Sequence, residues 1–464
     1  MSITKRVEEI EKQYIELYDQ NIVQLADKST LEVNSHRDKS FKNFQKLGIP
    51  SDRDEDYKYT NIQPFLRGTF EFNFVHQNIE AQLDDVFKCE VSELESYSVF
   101  IINGWYSEKN QIAGNLPDGV YFGSLAEAFK KHPKLIDKYY GRASKIERDG
   151  FTALNGMFAQ DGVFIYIPKN VVLDRPLQIV NILTGDSDNV VFQRNLVVME
   201  ENSQAKILVC DHTLTPSKFV VNSVTEVFAA ESVVLDHYTL QNQHNLTTQV
   251  AGVFVEQKSS STVMTNNLTL HAGISRNNIY YKLDGEHCES YLYGLYVTDK
   301  NQHVDNFSFI DHAKPNCTST ELFKGVLDDR ATGAFTGRVL VRKDSQNTNA
   351  YQSNNNILLN DLARISTRPQ LEIYADDVKC SHGATVGQLD DEAMFYLRSR
   401  GISEEESRVL LMYAFAYEVI DKITVEPLKE QIRDLVEKRF RGEFDKCDFC
   451  VVCAEADSKM LNCF

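Results

Sequence analysis

The sequence predicts a mainly β protein with helical ends, and three observations carry that prediction. From about Asp161 to Tyr374, β-branched and aromatic runs recur roughly every ten to fifteen residues. Helical periodicity is absent throughout that stretch, and it returns on both sides of it.

Taking the elements in order, Ile3, Val7, Ile10, Tyr14 and Leu17 lie on one stripe of a helix, predicted over 4–26. Phe41, Phe44 and Leu47 mark a second helix, closed by Gly48 with Pro50 just beyond. A capping box, Ser124 to Glu127, opens a further helix that Pro133 interrupts, and Val99 to Ile102 reads as a short strand. The strand runs then begin: Val163 to Ile167, Leu177 to Ile182, Val190 to Met199, Ala205 to Val209, Phe219 to Val227, Val233 to Leu240, and onward. A sandwich is usually full at ~100 residues. This run is twice as long and carries Asn, Thr and Ser on alternate positions, as stacked rungs would. A β-solenoid is favoured, while sandwich, barrel and propeller stay open because no strict repeat motif stands out.

After Asp390, Ala393, Met394 and Leu397 mark a short helix stopped by Gly401, and Ser403 with Glu406 forms another capping box. The helix from Glu404 to Ile420 is apolar nearly all round, so it is either internal or docks a partner. Pro427 starts a last amphipathic helix through Leu428, Ile432 and Leu435. The expected organisation is a helix-rich region over 1–155, a β core over 156–388, a helical region over 389–440 and a Cys-rich tail over 441–464.

Composition narrows the function. With 49 basic against 67 acidic residues the net charge is −18, and so acidic a surface repels nucleic acid and anionic membranes. No apolar run is long enough to span a bilayer, and the charged, amphipathic N-terminus does not read as a signal peptide, so a cytoplasmic location is expected. Nine cysteines, four of them crowded near the C-terminus, read as thiol or metal chemistry rather than a disulfide framework. Gly-rich phosphate loops and a G-x-S-x-G elbow are absent, which removes NTPases, dinucleotide enzymes and the usual α/β-hydrolases.

Three groups of residues could carry chemistry. Cys380 and His382, in Asp376-Asp377-Val378-Lys379-Cys380-Ser381-His382-Gly383, are two apart at the end of the last strand run and so share a face. They make two ligands where a closed site needs four, and a buried thiol beside a hydrogen-bonded imidazole is the plainer reading. His287, Cys288 and Glu289, His303 with Asp305, and Asp311 and His312 with Cys317 form a second population, expected as half-solvated rung residues. In the tail, Cys447, Cys450, Cys453 and Cys463 could hold Zn²⁺ or an iron–sulfur cluster, although the x3-C-P that completes the ferredoxin-like motif is missing. A carbohydrate-active β-solenoid enzyme is the alternative from another class. It would need clustered Asp, Lys or Arg, often with Ca²⁺.

The run from Pro369 through Gly387, with Phe395-Tyr396-Leu397-Arg398-Ser399-Arg400-Gly401-Ile402, closely resembles the SufB/SufD family of the iron–sulfur cluster assembly machinery. The likeness extends to Asp311 and His312, Cys317 to Ser319, Phe335 to Val339, Gln352 to Asn356, Leu47 to Pro50 and Asp54 to Thr60. Cys380-Ser381-His382-Gly383 stands where the SufB branch carries Glu-His-Glu, which favours the SufD branch over a SufB-like paralogue. The resemblance implies a right-handed parallel β-helix core flanked by N-terminal and C-terminal α-helical domains. It also implies a scaffold without turnover that pairs with SufB and carries the SufC ATPase on its C-terminal helices, with a homodimer expected when SufB is absent. His382, with Cys380 beside it, would face a SufB cysteine where a transient cluster forms, and no stably bound cofactor is expected outside the tail. The Cys-rich tail does not belong to the family pattern.

Overall fold

Nine residues other than glycine between 170 and 347 have a left-handed backbone conformation, and seven of them recur at one position of a repeat. Asn170, Asn202, Ser232, Ser260, His287, Asn316 and Asn347 have φ between 57° and 63° and lie 27 to 32 residues apart. Asn tolerates this conformation better than other side-chain-bearing residues, and each of these residues turns one corner of a coil. The corners stack: the Asn202 amide N–H donates to Glu231 O at 3.0 Å, Asn316 N–H to Gln346 O at 2.9 Å and Asn347 N–H to Asp377 O at 2.7 Å. Side chains continue the stack, with Asn202 Nδ2 donating to Asn170 Oδ1 at 3.0 Å and Asn347 Nδ2 to Asn316 Oδ1 at 3.1 Å.

The structure is a computed structural model that describes residues 3–27, 29–74, 94–112, 116–144 and 146–442. Each turn of the coil contributes one strand to each of two ten-stranded sheets. The first sheet takes Val163–Ile167, Asn189–Met199, Phe219–Ala229, Thr247–Gln257, Ile274–Leu283, His303–His312, Thr332–Val341 and Arg364–Ile373. The second takes Leu177–Leu183, Gln204–Thr213, Val234–Asn242, Thr262–His271, Glu289–Thr298, Thr318–Leu327, Thr348–Leu358 and Val378–Gly387. Neighbours among these strands pair in parallel and almost without slippage. The fold is thus a parallel β-solenoid, and among the all-β forms left open by the strand spacing it is the one adopted.

The two ends of the coil differ. At the first turn, Tyr97–Ile102 pairs in parallel with Leu177–Leu183 and is itself covered by the antiparallel strand Trp105–Ile112, while Tyr121–Ser124 covers Val163–Ile167 antiparallel. That edge is closed. At the last turn, Arg364–Ile373 and Val378–Gly387 are each paired on one side only.

Inside the coil, successive rungs stack Val163, Ile179, Ile207, Leu235, Val263, Leu292, Phe323 and Phe335 into one apolar core. Polar side chains also stack within it and bond from rung to rung: Gln241 Nε2 donates to Asn277 Oδ1 at 2.9 Å and Asn277 Nδ2 to Asn306 Oδ1 at 3.0 Å.

Helices cover the outer faces. Helices α1 (Ile3–Asp27), α2 (Leu31–Leu47), α3 (Leu125–Lys131), α4 (Pro133–Tyr139) and α5 (Gly150–Phe158) precede the coil. Tyr14, Phe44 and Phe158 from this group pack on Val190, Val220 and Val250 of the first sheet. The expected caps form: Gly48, at φ 64°, donates its N–H to Phe44 O at 2.8 Å, and Ser124 Oγ accepts from Glu127 N at 3.1 Å. After the coil come α6 (Asp391–Ser399), α7 (Glu404–Ile420) and α8 (Glu426–Phe440). Ala416, Val419 and Ile420 of α7 and Leu428, Ile432 and Val436 of α8 seat on Leu208, Leu240, Leu268 and Leu295 of the second sheet. One face of α7 therefore serves the interior of this chain, while Leu410 and Tyr417 on it stay exposed. Helix α6, by contrast, fully buries none of its residues. No helix among the described residues is long and apolar enough to cross a membrane.

Candidate functional site at the open end of the solenoid

Cys380 and His382 lie within Val378–Gly387, the last strand of the second sheet, opposite Ala350 and Gln352 of the preceding rung. Side chains alternate along a strand, so Val378, Cys380 and His382 share the inward phase. Val378 and Cys380 pack against the apolar core. Cys380 is half-buried, and that burial raises its thiol pKa above the ordinary value, so at neutral pH it is a protonated thiol rather than a thiolate. His382 is exposed and makes no hydrogen bond to another described residue. It points the way a core residue points, and it meets solvent because no further rung covers it.

The surroundings are apolar at the rim. Ile373, Tyr374, Val386, Tyr351 and Leu362 are exposed around this end, and on α6 Phe395 is 74% and Tyr396 57% exposed. Two ten-residue edges of unpaired backbone donors and acceptors complete the surface. Lys, Arg, Asp, Glu and Pro, the residues that blunt natural edges, are absent from Cys380 to Gly387, which reads Cys-Ser-His-Gly-Ala-Thr-Val-Gly.

The segment Asp54 to Thr60 reaches the same rungs from the other side. Asp56 accepts from Arg338 at 3.2 Å, and Glu55 pairs with Arg368 of the last strand of the first sheet. Thr60 Oγ1 bonds His303 Nε2 at 2.8 Å and donates to Asp305, which pairs with the buried Arg276. The Arg276 guanidinium lies 4.3 Å from the Tyr57 ring centroid. These contacts tie the N-terminal region to the coil next to its open end.

The second population of His, Cys, Asp and Glu divides: His287 and Glu289 are exposed and His303 is half-buried, as expected of rung residues, while the others are not. Cys288, Cys317, Asp305, Asp311 and His312 are all buried, and His287 is a corner residue with φ 59°. The reason is the repeat. The residue after each corner turns inward, so Ser203, Val233, Ser261, Cys288, Cys317 and Thr348 occupy one small-residue column, all at most 1% exposed. Cys288 and Cys317 are members of that column, and each donates its thiol to Gly285 O at 3.2 Å. His312 accepts or donates one bond, to Ser319 at 2.9 Å, and burial lowers its pKa to about 4. Among the described residues no group of three or more His, Cys, Asp or Glu could hold a metal ion. Cys447, Cys450, Cys453 and Cys463 lie outside the described residues.

Two residues that sequence reasoning missed lie directly beneath His382. Glu321 and Gln352 precede it on the same column, in register, and both are buried. Gln352 Nε2 donates to Glu321 Oε2, and burial pushes the Glu321 carboxyl up to about 7. A search for polar residues spaced about 30 apart within the strand runs could have found the pair.

Comparison with known proteins agrees with this architecture. The model for "SUF system FeS cluster assembly, SufBD core domain" matches residues 181–415, and that for the "SufBD protein N-terminal region" matches 8–179. The chain is 27% identical over 403 residues to the iron–sulfur cluster assembly protein SufD of Escherichia coli, covering 86% of this chain and 90% of that protein. It is 28% identical over 449 residues to an iron–sulfur cluster assembly SufBD family protein of Synechocystis, covering 94% and 98%. The SufD protein of Bacillus subtilis is 25% identical over 406 residues, covering 85% and 91%.

Proposed function

We propose, from the premise that this chain belongs to the SufBD family of iron–sulfur cluster assembly proteins, that it is the SufD-type scaffold subunit of that machinery. It pairs through the open end of its solenoid with a SufB-type subunit, carries a SufC-type ATPase on its C-terminal helices, and has no turnover of its own. The observation that supports this reading is the asymmetry of the coil. One end is closed by antiparallel strands, and the other presents two unpaired edges with a thiol and an imidazole between them. The nascent cluster is cargo held between subunits, so two donors here suffice when the partner supplies the others.

His382 offers a ring nitrogen as a ligand or proton acceptor, and Cys380 offers a thiol that must lose its proton to bind iron. Burial of Cys380 opposes that loss. His382, two residues along on the same face, is placed to take up the proton or to hold the metal. The compartment is the cytosol, where thiols stay reduced.

Co-expression with SufB-type and SufC-type subunits tests the reading. A stable three-component complex that accumulates clusters under anaerobic reconstitution is expected. Failure of the chain to co-purify with either subunit would sink it, as would robust uronate lyase or glycosidase turnover by the isolated chain.

A further inference from the structure

His382 is the last member of a column that runs through the coil as Leu292, Glu321, Gln352 and His382, one residue per rung. Column neighbours in a parallel sheet are separated by one inter-strand spacing, ~4.8 Å, so the side chains of Gln352 and His382 lie side by side whenever both point inward. Gln352 is fixed. It is 3% exposed, its Nε2 donates to Glu321 Oε2, and the facing backbone makes room for it at Gly337, where a Cβ would come within 2.2 Å of Nε2. A side chain at position 337 would therefore push the amide out of line.

This arrangement spends the donor side of the Gln352 amide on the carboxylate and leaves its acceptor, Oε1, buried without a hydrogen-bond partner among the described residues. A buried carbonyl oxygen with no donor has lost its water without a replacement and is costly. The next side chain on the column is an imidazole, which carries an N–H on one ring nitrogen and a lone pair on the other. We propose that Glu321 and Gln352 are positioning residues for His382: the carboxylate orients the amide, and the Gln352 Oε1 accepts the N–H of one His382 ring nitrogen, so that the other nitrogen keeps its lone pair facing out of the open end. The inference deepens the cluster-assembly reading and rests on it for the ligand that His382 meets. A hydrogen-bond acceptor behind a metal-binding or proton-accepting histidine sets its tautomer and ring orientation, and such partners commonly matter nearly as much as the ligands themselves.

The test reads the imidazole rather than the cluster. The full chain, labelled with ¹⁵N-histidine and held at about pH 8, where an ordinary imidazole is neutral, is compared with Gln352→Met and Glu321→Gln by ring-nitrogen NMR. His382 is identified by the signal lost in His382→Gln. The wild type is expected to hold His382 in one tautomer. Gln352→Met, which keeps the volume and removes the acceptor, should convert it to the mixture seen for an exposed imidazole. Gln352→Glu keeps an acceptor oxygen and should hold the single tautomer, while Gln352→Leu, which also removes the acceptor, is the variant of record if Gln352→Met does not fold. An unchanged tautomer in the variant without the acceptor, or a mixture in the wild type equal to that of free histidine, would overturn the proposal. Cluster yield does not enter this measurement. A His382→Ala complex with full cluster yield would remove the functional reading and leave the positioning result standing, whereas a failed tautomer result would leave His382 a cluster residue without this support.

Discussion

At the scale of single residues, His382 and Cys380 differ in what their loss should do. His382 is exposed, so His382→Ala should cost no more than the one hydrogen bond proposed to Gln352, about 1–3 kcal/mol, and lower anaerobic cluster yield on the assembled complex far more than the folded fraction accounts for. Cys380 packs against the core, and Cys380→Ala should cost roughly 1 kcal/mol of stability from the lost contact as well as cluster yield. Thermal unfolding paired with cluster yield separates the two, and normal yield from a stable His382→Ala complex would take this residue out of the mechanism. Glu321 makes a pH-dependent prediction. Its carboxyl pKa is raised to about 7 in the folded chain, against about 4.3 when unfolded. Between those values the folded state holds the proton more often than the unfolded state does, so stability falls as pH rises from about 4.5 to 7. Glu321→Gln should therefore be more stable than wild type at pH 8 and close to it at pH 4.5. Denaturant unfolding at the two pH values checks the sign, and a wild type that gains on the variant with rising pH would refute it.

At the scale of elements, the C-terminal helices divide into two that belong to the fold and one that does not. Val409, Met412, Ala416 and Ile420 of α7 and Ile432 of α8 are buried against the second sheet, so Ile432→Ala should cost about 2–5 kcal/mol. Deleting everything after Asp390 should expose Leu208, Leu240, Leu268 and Leu295 and yield an aggregating core, not a well-behaved one. The proposed docking of an ATPase subunit on the C-terminal helices is therefore tested on helix α6. It fully buries none of its residues, while Phe395 and Tyr396 stand out into solvent. Paired substitutions Phe395→Asp and Tyr396→Asp should keep the melting temperature and weaken ATPase-subunit binding at least tenfold, measured by titration calorimetry. Undiminished binding would move the docking surface elsewhere. The Glu404–Ile420 pattern left both readings open because a helix apolar nearly all round looks alike whether its own chain or another covers it.

At the scale of the whole molecule, a coil closed at one end and open at the other is built to be continued. Unpaired strand edges recruit strands, and the rim at Val386, Ile373 and Tyr374 is apolar. Val386→Lys places a charge on that edge and should abolish both self-association and pairing with a SufB-type subunit without changing the fold. Sedimentation velocity on the chain alone and on the mixture reads this, and association unchanged by the lysine would show that the open end is not the interface. The buried pair Arg194–Glu226, at 2.7 Å, also belongs to this scale, because Glu226 accepts the N–H groups of Gly141, Ala143 and Ser144 and thereby fastens the loop after α4 to the coil.

By itself the sequence determined the class, the helical ends, the caps at Gly48, Ser124 and Ser403, and the shared face of Cys380 and His382. All of these are set by neighbours a few residues apart, through the periods of strand and helix and through local backbone preference. Only the tertiary structure decided which residues stack. Corner spacing varies from 27 to 32 residues, so no constant period marks the columns, and nothing local places Glu321 and Gln352 under His382 or puts Cys288 and Cys317 in a column of small buried residues. Exposure of His382 is likewise not a property of its own strand. It follows from the absence of a next rung, which is a fact about where the coil stops.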